Sequence, residues 1–290
     1  MTQEPQRLSA HEIFDQTLAN GRSELNRPAG ALAFSGLAGG LFMGLTGLGV
    51  AGTKAMLPGE GAEFVAQLFY PLGFIVVVVS RAQLFTENTL FPVVVVLDER
   101  RHLLTTLRFW VVVFAANVLG ALAFAALAVK TGALQPAAVT ELVQLGTTAT
   151  AEPLTDVFTS GILGGWLVAL MAWMVSSARS NTIGQIVVVW LVTFVVGLLH
   201  LAHCIASSGY ILVAALTGEV SVGTYAAWLG AATAGNIIGG VFIVSLLNYW
   251  QVRVGRRSGR RPSRDGVAAT ASPADEEGSA QPDRSATLRM

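Results

Sequence analysis

Residues 64–97, FVAQLFYPLGFIVVVVSRAQLFTENTLFPVVVVL, decide the fold. An apolar run from Phe64 to Val79 gives way to SRAQLFTEN and resumes from Thr89 to Leu97. The whole stretch exceeds the roughly 20 residues that cross a bilayer as a helix. Its polar middle predicts a helix broken within the membrane. Unwound backbone at that depth leaves N–H and C=O groups without water, at several kcal/mol each, so it persists only where protein or a lined cavity meets those groups.

A second interrupted run lies further along the chain. Ile183 to Ala202 gives way to HCIASSG, from His203 to Gly209, before the apolar run resumes from Tyr210 to Leu216. The flanks of the two runs also match. SGLAGGL at 35–41 shares its serine and three glycines with SGILGGW at 160–166, and NVLG at 117–120 matches NIIG at 236–239, following Trp110 and Trp228. Six spans are predicted, at about 28–54, 63–97, 105–129, 157–178, 182–216 and 222–250. Three spans per copy make the second copy enter the membrane from the opposite side, and paired breaks in inverted repeats point to a substrate path. Ordinary kinks at Pro71 and Gly197 are the other reading of the same breaks.

Composition agrees with a lipid-embedded chain. Only 12% of the 290 residues are charged, against about 25% in soluble domains, and mean hydropathy is +0.59. The single cysteine, Cys204, excludes an intrachain disulfide. With the N-terminus inside, Arg22, Arg27, Arg100, Arg101, Arg108, Arg179 and the run from Arg253 to Arg264 lie on the cytoplasmic side, while Lys54 and Lys130 face out. Residues 1–27 are expected to hold a cytoplasmic amphipathic helix opened by a capping box, Ser9 and Glu12, without a secretory signal pattern. Residues 28–250 form the membrane domain, and 251–290 are expected to be a disordered, basic cytoplasmic tail. Thr131 to Asp156 reads as an outer loop or short surface helix.

Several residues in or beside the breaks could carry chemistry. His203 is ionisable within a long apolar context: a charged ring would attract an anion, and a neutral one would bond to the broken backbone. Thr86 is expected to take the place of His203 in the first copy, as a donor to an anion or as a cap of the broken helix. Arg81 and Glu87 flank the first break and are expected to pair with each other or with backbone, a structural rather than a selectivity role. Asn117 and Asn236 either line the cavity or serve as interhelical hydrogen bonds. His200 and His203 lack a third metal ligand nearby, so no metal site is expected.

In PLGFIVVVVSRAQLFTENT from Pro71, HCIAS from His203 and GNIIGG from Gly235, the chain resembles the formate/nitrite transporter family, over about Pro28 to Trp250. The LFT triplet after a broken second helix, combined with one histidine opening the second break, is specific. The resemblance implies an all-α, aquaporin-like fold of six transmembrane helices in two inverted three-helix repeats. It also implies a homo-pentamer in the inner membrane, a pore in every protomer, and no cofactor or nucleic-acid partner. It implies that His203 and Thr86 face a small monovalent anion, formate, nitrite or a similar weak-acid anion, with protonation of the substrate near the histidine. Phe74, Tyr70, Leu84 and Val196 would then form two apolar constrictions. Against the family pattern, Ala202 replaces a glutamate, Ser207 an asparagine and Val196 an aromatic, and the SRAQLFTENT wording marks a divergent branch.

Other functions are weighed by what is missing. Asn88 is followed by Thr89 and Leu90, not by the Pro-Ala of water channels. A catalytic set would place more polar groups on one face than His200, His203 and Glu87. A membrane sensor or scaffold with a vestigial pore would rely on the basic tail.

Overall fold

The structure is a computed structural model that describes residues 8–57, 59, 61–178 and 181–258. Arg179 and the expected tail from 259 onward lie outside the described residues. Every regular element among the described residues is helical: α1 (Ala10–Leu25), α2 (Ala29–Met56), α3 (Ala62–Gln67), α4 (Leu72–Ser80), α5 (Phe91–Glu99), α6 (Leu103–Lys130), α7 (Pro136–Ala151), α8 (Leu154–Ser177), α9 (Thr182–Leu198), α10 (Ala206–Thr217), α11 (Val222–Ile238) and α12 (Leu247–Ser258). Five helical stretches among them are long and apolar enough to cross a membrane, and α9 and α10 are shorter apolar helices.

The long helices pack as α2 on α6 and α8 on α11. Both contacts depend on glycine in the small-residue stripes. A Cβ on Gly40 would stand 1.9 Å from the Asn117 carbonyl oxygen, and one on Gly165 would stand 2.2 Å from that of Asn236. Backbone-to-backbone approach of this kind suits helices in lipid, where association depends on close packing and not on hydrophobic burial.

Both breaks fall where the two interrupted runs place them, with one shift. α4 ends at Arg81, whose φ is 57°, and the Ala82 and Arg81 amides bond back to the Val77 and Val78 carbonyls. α9 ends in the same way at His200, φ 50°, with the Leu201 amide on the Val196 carbonyl. A residue with a side chain in this left-handed region costs about 1–2 kcal/mol. The second break therefore spans Leu199–Ile205 and α10 begins at Ala206, earlier than the HCIASSG expectation. Leu199, Leu201 and Ala202 keep the hydropathy high although the helix has already ended.

Two asparagines hold the breaks open. Asn117 accepts from the Phe85 amide at 2.8 Å and donates to the carbonyls of Gly36 and Gln83. Asn236 accepts from the Cys204 amide at 2.9 Å and donates to the carbonyls of Gly161 and Ala202. Both are fully buried, so they act as clamps between helix and loop and do not line a cavity. A short 3-10 turn, Glu87–Thr89, links the first break to α5, and Ser245 in a π-helical segment, Gly239–Leu246, donates to the Thr89 carbonyl. Such π segments concentrate at functional sites.

Outside the membrane core one expectation is narrowed and one corrected. The stretch read as an outer loop or short surface helix contains the helix α7, which buries Leu142 and packs on α2 and α10. The chain also stays helical past Trp250 to Ser258, because Tyr249 and Val252 are buried and Tyr249 meets the Phe14 ring of α1 at 6.2 Å.

Glu99, at the end of α5, binds Arg22 of α1 at 2.6 Å as well as Arg101 and His102. Arg22, then Arg101 and His102, hold its carboxyl down to about 2. A depressed carboxylate contributes stability above its ordinary value of 4.5, and that contribution is lost as pH falls from there toward 2. Hydrogen exchange of α1 is therefore expected to speed up across that window in the native protein. Glu99→Gln should remove the pH dependence, whereas an unchanged dependence in this variant would show that another group holds α1.

Candidate pore and its central histidine

Two cavities approach the breaks. The one on the Lys54 side has a volume of about 520 Å³ and reaches Tyr70, Val196, Ser207 and Tyr210. The other, about 290 Å³, is lined by Val77, Arg81, Gln83, Glu87 and residues of α1 that include Glu24. Neither cavity is lined by Phe74, Leu84, Thr86 or His203, all of which are buried.

His203 makes two hydrogen bonds that together determine its tautomer. Nδ1 accepts the Ala206 amide at 3.0 Å, so the proton of a neutral ring resides on Nε2. Nε2 lies 2.7 Å from the Thr86 hydroxyl and donates to it. The Thr86 proton is then left to donate elsewhere, and among the described residues no acceptor takes it. The break thus brings together, from residues 117 positions apart, a ring held in one orientation and a hydroxyl with a free donor. Phe74 closes over the imidazole edge-on, with centroids 5.0 Å apart, and Tyr70 packs on Phe74 at 5.9 Å.

Thr86 is not the counterpart of His203, contrary to expectation. Matching the asparagine clamps pairs Phe85 with Cys204, and hence Leu84 with His203 and Thr86 with Ile205. Threonine and histidine meet by crossing between the two breaks, which spacing within either one could not reveal. The same matching pairs Val77 with Val196, each fully buried in its chain and each on the floor of one cavity. Val77 went unnoticed because it sits inside a run of four valines, Val76 to Val79. Ser207 accepts the Tyr210 hydroxyl at 2.7 Å.

Arg81 and Glu87 do not pair: no ion pair joins them among the described residues. Both border the smaller cavity, where Arg81 is exposed and Glu87 is half-buried. His200 lies apart from His203, at the rim of the larger cavity, 3.7 Å from Glu63.

The sequence profile of the family described as "Formate/nitrite transporter" matches residues 11–250. The chain is similar to "Inner membrane protein YfdC" of Escherichia coli (strain K12), 32% identical over 254 residues that cover 85% of this chain and 79% of the relative. Among solved structures, an "FNT family ion channel" superposes with a TM-score of 0.74 at 19% identity, over 82% of this chain and 98% of its own. A "Pentameric formate channel with formate bound" gives 0.64 at 21%, over 78% and 98%.

Proposed function

Because the chain belongs to the formate/nitrite transporter family, we propose that it forms a membrane passage for small monovalent anions, formate, nitrite or a similar weak-acid anion, which takes up a proton near His203. Membership supports a multi-pass membrane channel or transporter and not an enzyme. The observation that carries the finer reading is the buried Thr86–His203 pair between two open cavities.

A bare anion between Val196, Phe74 and Val77 would lose its hydration with little in return, whereas the neutral acid loses far less. The free Thr86 proton gives the substrate oxygen one bond at that point, and the imidazole orients the hydroxyl. Support for a homo-pentamer comes from the pentameric formate channel of the same fold. Six crossings in two inverted repeats, with both termini cytoplasmic, accord with the recurring asparagine clamps and with Lys54 standing opposite Arg22 and Arg27 in charge distribution.

The test is formate or nitrite entry into liposomes, followed as internal acidification. His203→Ala and Thr86→Val are each expected to slow entry at least about tenfold, equivalent to about 1.4 kcal/mol in the barrier. If the wild type passes no weak acid, the reading fails. If both variants match the wild type, the path avoids the pair.

A further inference from the structure

The helices that lead into the two breaks both end on a residue that carries a side chain in left-handed backbone, Arg81 at φ 57° and His200 at φ 50°. The matching that pairs Val77 with Val196 pairs these two residues as well, each four positions beyond its buried valine. The same strain therefore recurs at equivalent places in the two breaks, where a glycine would be free of it. Each side chain is basic in type and borders its own cavity, Arg81 the smaller and His200 the larger. Strained backbone of this kind concentrates at functional sites.

Arg81 is the one cation among the described residues that line the smaller cavity, and it is exposed there. Two carboxylates border the same space. Glu24 of α1 is held by Arg27 at 2.9 Å and by the Gln83 amide at 3.0 Å, and Glu87 follows Thr86 in the break. Among the described residues neither forms an ion pair with Arg81. The rest of the lining is uncharged. Without Arg81 the cavity would be bordered by carboxylates alone, and a low-dielectric wall would focus their field on an anion approaching Val77.

We propose that Arg81 is the anion-selecting residue of the smaller cavity, drawing a small carboxylate or a nitrite-like anion to the Val77 floor against the repulsion of Glu24 and Glu87. This rests on the reading of the passage as one for weak-acid anions, and it adds the residue that sets which sign of charge gathers on that side. A guanidinium suits the task, because its paired N–H donors lie in a plane that matches a carboxylate. The competing role is structural: a positive charge at the last turn of α4 also favours its free carbonyls. That role would act on stability and leave the dependence on formate concentration unchanged.

The experiment measures exchange of radiolabelled formate in liposomes with the purified full chain, at neutral pH and with equal formate on both sides, so that the orientation of the protein does not matter. Half-saturating formate is read at ionic strengths of about 0.1 M and about 1 M, set with sodium sulfate, where charges act over about 10 Å and about 3 Å. At the lower value Arg81→Gly is expected to raise half-saturation about fivefold, and Arg81→Glu to raise it further. Arg81→Lys restores the charge and should bring half-saturation back to within about twofold of the wild type. At the higher value all four proteins should agree within about twofold. Thermal unfolding of Arg81→Gly should come no lower than that of the wild type, because glycine accepts the left-handed backbone. Half-saturation that ignores the charge at position 81 overturns the proposal and leaves the transport reading intact; a loss of stability in its place would assign the arginine to the end of α4. A wild type that exchanges no formate overturns both.

Discussion

Asn236→Leu is expected to destabilise the protein by about 2–6 kcal/mol, from two buried polar groups left without partners at about 1–3 kcal/mol each. Those groups are the Cys204 amide and the Ala202 carbonyl, while the Gly161 carbonyl keeps its bond within α8. The leucine keeps the branched skeleton of the asparagine without its polar atoms, so lost bonding is the main effect. Asn236→Asp keeps the acceptor for the Cys204 amide but turns a second oxygen toward two carbonyls, so it should rescue little. Denaturant titration in mixed micelles, read by tryptophan fluorescence, gives the difference. A loss under about 1 kcal/mol would show that water or a shifted loop satisfies the same groups. His203 lies one residue before Cys204, so flux through any folded fraction should fall as well.

Gly40→Ala is expected to cost about 3 kcal/mol or more, because overpacking a tight contact forces backbone to move. The new Cβ would lie 1.9 Å from the Asn117 carbonyl oxygen, and backbone cannot swing aside as a side chain can. The same shift would displace Asn117 and with it the clamp on the first break. Gly52→Ala, on the same helix, meets open space and supplies the control. It should be neutral or stabilising by up to about 1 kcal/mol, the gain in helix propensity. Equal effects at the two positions would mean that helix propensity, and not the α2–α6 contact, governs the response.

The broken helices were legible in the sequence because polar residues interrupting apolar runs are rare and hard to place in lipid. SRAQLFTEN carries that signal plainly, and its break was placed correctly. The second break was placed late, since Leu199 to Ala202 remain apolar while the backbone has already turned at His200. Hydropathy reports how a residue partitions, not which way its backbone turns. Arg81 and Glu87 were expected to pair with each other or with backbone because both looked buried in lipid; the fold opens a cavity beside them.

The candidate site was legible in its residue types only. Thr86 and His203 stood out as polar groups in apolar surroundings, but their contact and the histidine tautomer come from the Ala206 amide and from two loops meeting in space.

The sequence by itself determined that this is a membrane protein with two matched, interrupted spans and glycine stripes between its helices. Those features follow from partitioning and from backbone bonding in lipid, which depend on local composition and spacing. Only the tertiary structure decided that Leu84, and not Thr86, is the counterpart of His203 and that both asparagines are clamps. Each of these depends on distances between segments far apart in the chain, and pattern along one chain carries no measure of such distances.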